Sequence, residues 1–256
     1  MNNQPNNTLF IGKVAFCLNS VDSTNKYAHE LISKINPIEG TVIRAEEQYA
    51  GRGQFGSEWK SNAGENITIS IILCPKFLLV KQQFYLNAAI ALAVYDFVNE
   101  FCADSRVSIK WPNDLYIGEK KVAGLLIENV LRGSYLDKTI VGIGININQS
   151  EFDPALPNPT SFFLECQKKL EIDNLLFQLY AHIERQYLRL KKGSLDEILK
   201  DYEKCLFRKN ELKKYRLSDN SVIEAEILGV EENGRLLVKH LELIKSFDLK
   251  EISVLF

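Results

Sequence analysis

Residues 66–73, NITISIIL, alternate polar and apolar side chains and then turn wholly apolar. Successive side chains of a strand point to opposite faces, so this is the pattern of a strand that enters a core. A different period follows. Leu86, Ile90, Ala93, Val94, Phe97 and Phe101 recur at helical spacing and mark a buried helix. A strand and a helix this apolar must cover one another, which calls for a layered sheet-and-helix domain. Further strands are predicted over 41–48 (TVIRAEEQ), 107–111, 121–130 and 138–148, with short strands within 8–18. YIGEKK reads as the turn of a hairpin joining the strands at 107–111 and 121–130. DSTNKYAHELISKI reads as a helix for which Asp22, Ser23 and Thr24 are all good N-cap types. Pro154, Pro157 and Pro159 punctuate a loop before two more helices, the first carrying Leu175, Leu176, Leu179, Tyr180, Ile183 and Tyr187. From about residue 208 short strands alternate with the turn signals LSDNS and EENG, as in a small antiparallel barrel. The expectation is an α+β protein: a mixed β-sheet domain with flanking helices over 1–207, then a small barrel over 208–256.

Composition narrows the function classes. A net charge of −2 provides no basic field to gather nucleic acid. Cys17, Cys74, Cys102, Cys166 and Cys205 are odd in number and scattered, and read as reduced, mostly buried thiols of a cytoplasmic protein. MNNQPNNTLF has neither the basic region nor the apolar core of a signal peptide, and no apolar run reaches membrane-spanning length. His29, His182 and His240 are isolated from one another and from every motif, so no zinc site is expected.

Four stretches carry chemistry, each where a strand or helix should end. Ser23-Thr24-Asn25 at a helix N-terminus could hold a carbonyl or an anion, although taken alone the segment reads first as plain helix capping. Gln48 ends a strand and offers both a donor and an acceptor. It leads into AGRGQFGSEW, whose glycines at 51, 53 and 56 would let backbone amides wrap a phosphate while Arg52 supplies charge. The segment matches neither Walker nor dinucleotide spacing, and alone it is equally a flexible surface loop. In Lys110-Trp111-Pro112-Asn113-Asp114, Asp114 could hold magnesium and Lys110 a phosphate oxygen, with Asn113 fixing geometry; a solvated turn is the alternative. Lys121-Val122-Ala123-Gly124 and Gly142-Ile143-Gly144-Ile145-Asn146 put glycines in strands, which leaves room for a flat ligand or for tight sheet packing.

Taken together, the order STN, Q-x-A-G-R-G, KWPND, K-V-A-G and G-I-G-I-N resembles the biotin protein ligases, and the resemblance extends across essentially the whole chain. It implies a class II synthetase-like catalytic domain with a C-terminal SH3-like barrel. It also implies two-step ligation: biotin and MgATP give biotinyl-5′-adenylate, and the acyl group passes to one lysine of a biotin carboxyl carrier domain. Carried over by motif, Ser23, Thr24, Asn25 and Gln48 should read biotin's ureido ring, with Gly142 and Gly144 facing the ligand. Arg52, Gly53 and Gln54 should close over the carboxylate and the adenylate phosphate. Lys121 and Arg52 should stabilise developing charge, and Asp114 should organise a transient magnesium ion. Lys110, Asn113, Asp114, Asn146 and Trp59 are the nucleotide-binding candidates. Biotin and ATP are substrates in this reading, with no tightly bound cofactor.

Gln54 and Phe55 depart from the GRGR-R-G pattern that members of the family often carry. Loop charge is thereby reduced, and phosphate retention rests more on Arg52, Lys110 and Lys121. Only 22 residues precede Ser23, too few for a winged helix-turn-helix, so DNA binding is not expected. No membrane partner is expected either, and a homodimer through a sheet edge is left open. A lipoate-type ligase or acyltransferase of the same fold, and a non-catalytic biotin or nucleotide sensor, are the competing readings.

Overall fold

The computed structural model describes residues 7–102 and 106–256, excluding the side chain of Phe55. Seven strands form the larger sheet: β1 (Ala15–Val21), β2 (Thr41–Gln48), β3 (Asn66–Leu73), β4 (Val107–Lys110), β5 (Asp114–Ile117), β6 (Lys120–Arg132) and β7 (Tyr135–Asn146). Their order is β1-β2-β3-β7-β6-β5-β4. The β1–β2 pair is parallel and the remaining pairs are antiparallel, so the sheet is mixed as expected.

The period of two divides this sheet into a core face and a site face. Ile67, Ile69, Ile71 and Leu73 of β3 join Val141, Ile143 and Ile145 of β7 in the main core. That core is closed by α2 (Gln83–Phe101) and α4 (Ile172–Lys191). The opposite face is covered only in part, by α1 (Thr24–Lys34), through a small cluster of Ala28, Ile43, Ile72 and Ile140. Beyond that cluster the same face carries Thr68 and Ser70 of β3, Gly142 and Gly144 of β7, and Gly124 and Leu126 of β6. The register sets them in two rows, Thr68–Gly144–Gly124 and Ser70–Gly142–Leu126. Asp114 of β5 pairs with Gly124 and extends the first row.

A second sheet is wholly antiparallel, ordered β11-β10-β9-β8-β12. Its strands are β8 (Leu212–Leu217), β9 (Val222–Val230), β10 (Leu236–His240), β11 (Leu243–Phe247) and β12 (Ile252–Val254). It is consistent with the SH3-like module expected at the C-terminus. Among the described residues no helix is long and apolar enough to cross a membrane.

The structure departs from the sequence reading in four places. Residues 8–14 are not strand. The Glu184 carboxylate accepts the backbone N–H groups of Leu9, Phe10 and Ile11 at 2.5, 2.8 and 3.0 Å, so a side chain replaces a strand partner. The four-residue β5 lies between the KWPND turn and Gly118 and was hidden by the turn signals on both sides. The short helix α3 (Phe162–Cys166) precedes α4 and is capped by Ser161, whose hydroxyl accepts from the Leu164 N–H. The thiols are not mostly buried: Cys102 is, whereas Cys17 and Cys166 are exposed and Cys74 and Cys205 intermediate.

Candidate active site

The helix α1 follows β1 and begins beside the end of β2, and its N-terminus is capped from outside. Ser23 is the N-cap residue by backbone geometry, yet its side chain makes no capping hydrogen bond. Instead the Thr24 N–H donates to Gln48 Oε1 at 2.7 Å, which ties the STN segment to the last residue of β2. Behind it, Ser70 Oγ stands 2.7 Å from Thr24 Oγ1 and 2.6 Å from Asn25 Oδ1. Asn25 is buried and its amide lies where a side chain at position 142 would have to be, which is why β7 carries glycine there.

At the other end of the cleft, Lys121 Nζ is 2.7 Å from Asp114 Oδ1. These residues sit on neighbouring strands, and a register shift between Leu115 and Tyr116 sets Tyr116, rather than Ile117, opposite Lys121. The turn that launches Asp114 is held from several directions. Pro112 O accepts from Asn87 Nδ2 and from Tyr202 Oη, both at 2.8 Å. The Trp111 indole N–H donates to Gly234 O, in a turn of the second sheet, also at 2.8 Å. Asn113 is buried and its amide donates to Leu125 O.

The glycine loop covers the row between these two ends. The backbones of Arg52 and Glu58 pair as an isolated antiparallel β-bridge, Gly53 N–H donates to Ser57 O at 2.7 Å, and Trp59 N–H donates to Gly51 O at 3.0 Å, giving a compact turn. Gly53 has φ −109° and ψ −172°, an extended conformation open to any residue. A Cβ there would collide with Ser57 Oγ, and close approach is what the glycine serves. The Trp59 ring lies on the strand glycines: a Cβ at Gly144 would overlap it, and one at Gly124 would stand 3.1 Å from it. The Lys121 ammonium is 5.7 Å from the ring centroid. The space expected to be open for a flat ligand is therefore occupied by the protein's own indole, and Trp59 Nε1 is buried without a hydrogen-bond partner.

One cleft thus brings together Ser23, Thr24, Asn25, Gln48, Arg52, Gly53, Gln54, Trp59, Asn113, Asp114, Lys121, Gly142 and Gly144. Lys110 and Asn146 do not line it. The Lys110 ammonium lies 5.4 and 5.6 Å from the centroids of the Tyr116 and Phe256 rings, and burial lowers its pKa from the usual lysine value. Asn146 is buried and donates to Thr160 O at 2.9 Å, a contact that ties the strand end to the following loop. Sequence reasoning missed Thr68, Ser57 and Glu58 in the cleft and Ser70 behind it. The period of two in NITISIIL, which sends Thr68 and Ser70 to the face opposite the isoleucines, was the available signal for two of them. His29 is also less isolated than expected, with Nε2 3.5 Å from Glu128 Oε2 beside Asn25.

Comparison with known proteins agrees with this geometry. Residues 17–146 match the model of the biotin/lipoate A/B protein ligase family. The chain is 31% identical over 237 residues to the bifunctional ligase/repressor BirA of Bacillus spizizenii, covering 91% of this chain and 72% of that protein. Over 128 residues it is 38% identical to the biotin–[acetyl-CoA-carboxylase] ligase of Paracoccus denitrificans, covering 49% and 51% of the two chains. Among solved structures, the Aquifex aeolicus biotin protein ligase in complex with biotin and ATP superposes with a TM-score of 0.78 at 29% identity, covering 94% of this chain and 98% of that one. The chain belongs to the biotin/lipoate A/B protein ligase family.

Proposed function

We propose that this protein ligates biotin to a lysine of a biotin carboxyl carrier domain in two steps, through biotinyl-5′-adenylate. The observation that carries this reading is the polarity of the cleft. Uncharged donors and acceptors from Thr24, Asn25, Gln48 and Ser23 occupy one end, and the Lys121–Asp114 pair with Arg52 occupies the other. A molecule with a neutral cyclic urea at one end and a carboxylate at the other matches that order. A lipoate-type ligand, with an aliphatic dithiolane ring, would offer no acceptor to the half-buried Gln48 amide nitrogen.

In the first step an oxygen of the biotin carboxylate attacks the α-phosphorus of ATP and pyrophosphate leaves. Two anions must meet, so positive charge at the meeting point lowers the barrier. Lys121 supplies it from β6, with Arg52 on the loop above. Magnesium enters this reading as part of the nucleotide substrate. Among the described residues no group of three or more His, Cys, Asp or Glu stands together, so a lone Asp114 carboxylate would contribute one ligand and phosphates and water the rest. In the second step the acceptor lysine amine attacks the acyl carbon and AMP leaves. The mixed anhydride is prone to hydrolysis, and residues 51–59 are placed to exclude water from it. We place the boundary between the catalytic domain (1–207) and the C-terminal module (208–256) just after the Phe207 N–H bond to Ile109 O.

The test is pyrophosphate release with ATP and either biotin or lipoate, with and without a carrier domain. Release with biotin alone, turning over only when the carrier is added, is expected. Release with lipoate and not with biotin would move the protein to the other branch of its family.

A further inference from the structure

Behind the STN segment a chain of hydrogen bonds runs from Glu128 on β6 to Gln48 on β2. Asn25 Nδ2 is 2.7 Å from Glu128 Oε2 and 3.2 Å from Leu126 O. Asn25 Oδ1 is 2.6 Å from Ser70 Oγ, Ser70 Oγ is 2.7 Å from Thr24 Oγ1, and Thr24 Oγ1 is 3.0 Å from Gln48 Oε1. Asn25, Ser70 and Thr24 are all buried, so bulk water does not share the two contacts of Ser70.

Counting hydrogens gives the chain a direction. A carboxylate and a backbone carbonyl can only accept, so together they hold the Asn25 NH2 toward β6 and its carbonyl oxygen toward Ser70. Ser70 must then spend its single hydroxyl hydrogen on Asn25. Its contact with Thr24 is filled by the Thr24 hydroxyl hydrogen. None is left for the Thr24–Gln48 oxygen pair, which is the longest of the three oxygen–oxygen contacts. Gln48 Oε1 is satisfied by the Thr24 backbone N–H at 2.7 Å, which leaves the Gln48 amide nitrogen as the donor of that side chain. If the Asn25 amide turned over, every hydroxyl in the chain would reverse, and Thr24 would direct its hydrogen at Gln48.

We infer that Glu128 is a positioning residue that fixes this polarity, so that Thr24 Oγ1 keeps its lone pairs for a substrate donor, beside the Gln48 amide donor that the Thr24 backbone N–H orients by itself. The inference rests on the reading of this end as the biotin end: a cyclic urea brings N–H groups for the acceptor and a carbonyl oxygen for the donor. Glu128 itself stands outside the cleft lining and selects for ring N–H groups through Asn25, Ser70 and Thr24.

The test compares binding of biotin with that of biotin methylated on both ring nitrogens, in wild type and Glu128→Gln. Glutamine keeps the size but can face Asn25 with either end, so the amide is no longer held one way. The preference for biotin over the methylated analogue is expected to fall at least tenfold, with ATP affinity within twofold of wild type. A merely structural role would weaken both ligands alike and leave the preference intact. Ser70→Ala, which breaks the same chain without touching a charge, should narrow the preference by a similar factor, and serves if Glu128→Gln does not fold. An unchanged preference in either folded variant would overturn the inference. Absence of biotin binding in the wild-type protein would instead overturn the proposed function.

Discussion

Lys121 and Asp114 form an ion pair, 2.7 Å from Nζ to Oδ1, across the β5–β6 hairpin, at the opposite end of the cleft from Gln48 and Thr24. The pair holds the ammonium in place, so the proposed contact with phosphate would require little reorganisation. Replacing Lys121 with alanine removes a cation from where charge develops, a loss of on the order of 3 kcal/mol in the transition state. Single-turnover adenylation should slow by roughly 100-fold, while the melting temperature changes little because both side chains are partly exposed. Adenylation at the wild-type rate in that variant would remove Lys121 from the mechanism.

Gln48 caps α1 through the Thr24 N–H and lines the cleft, where in the proposed function its amide faces the substrate. Gln48→Ala should weaken biotin binding by about 1–3 kcal/mol, the cost of leaving a buried ring amide unpaired. ATP affinity should be nearly unchanged. Titration calorimetry with each ligand separately reads both, and an equal loss for ATP would mean that the two ends of the cleft have been assigned wrongly.

Trp59 covers Gly144 and Gly124 with its indole nitrogen unpaired, an arrangement that a flat ligand seated on those glycines must displace. Trp59 and Trp111 are the chain's two tryptophans. The fluorescence change on adding biotin and ATP should therefore survive Trp111→Phe and vanish in Trp59→Phe. Amide exchange across 51–59 should differ between the free and liganded protein; equal protection would describe a preformed loop that does not act as a lid.

Burial lowers the Lys110 pKa from 10.5, with Asp114 opposing the shift and Lys121 adding to it. The folded state therefore holds this proton less tightly than the unfolded chain does. The resulting cost is fully present below the lowered value and is relieved as pH rises toward 10.5, so this residue's contribution to stability improves with pH. Lys110→Met should be more stable than wild type at neutral pH, and the difference should close as pH approaches 10.5. Paired thermal melts across that range check it; a constant difference would mean that the ammonium is not desolvated.

Much of the site was legible because its residues cluster at strand ends and their types are chemically specific. Ser23, Thr24, Gln48, Arg52, Asp114 and Lys121 could be read from sequence and lie in one cleft. What stayed hidden depended on pairing between distant segments. Ser70 looks like any polar residue of a strand until β3 is set against α1, and Glu128 acquires a partner only when β6 passes beside Asn25. The tight β4–β5–β6 meander was read as a single hairpin because β5 is only four residues long between two turn signals. Lys110 carried the right charge in the right motif, but the side chain lies against Tyr116 of the next strand and Phe256, the latter 146 positions along the chain and out of view of the motif.

The central claim, that this cleft makes an acyl-adenylate, is tested most directly by a single turnover with biotin and ATP labelled at the α-phosphate, without acceptor. The label should appear in biotinyl-5′-adenylate with one pyrophosphate per adenylate, and should discharge as AMP when a carrier domain is added. Formation of ADP and phosphate, or an unlabelled biotin conjugate, would contradict the account.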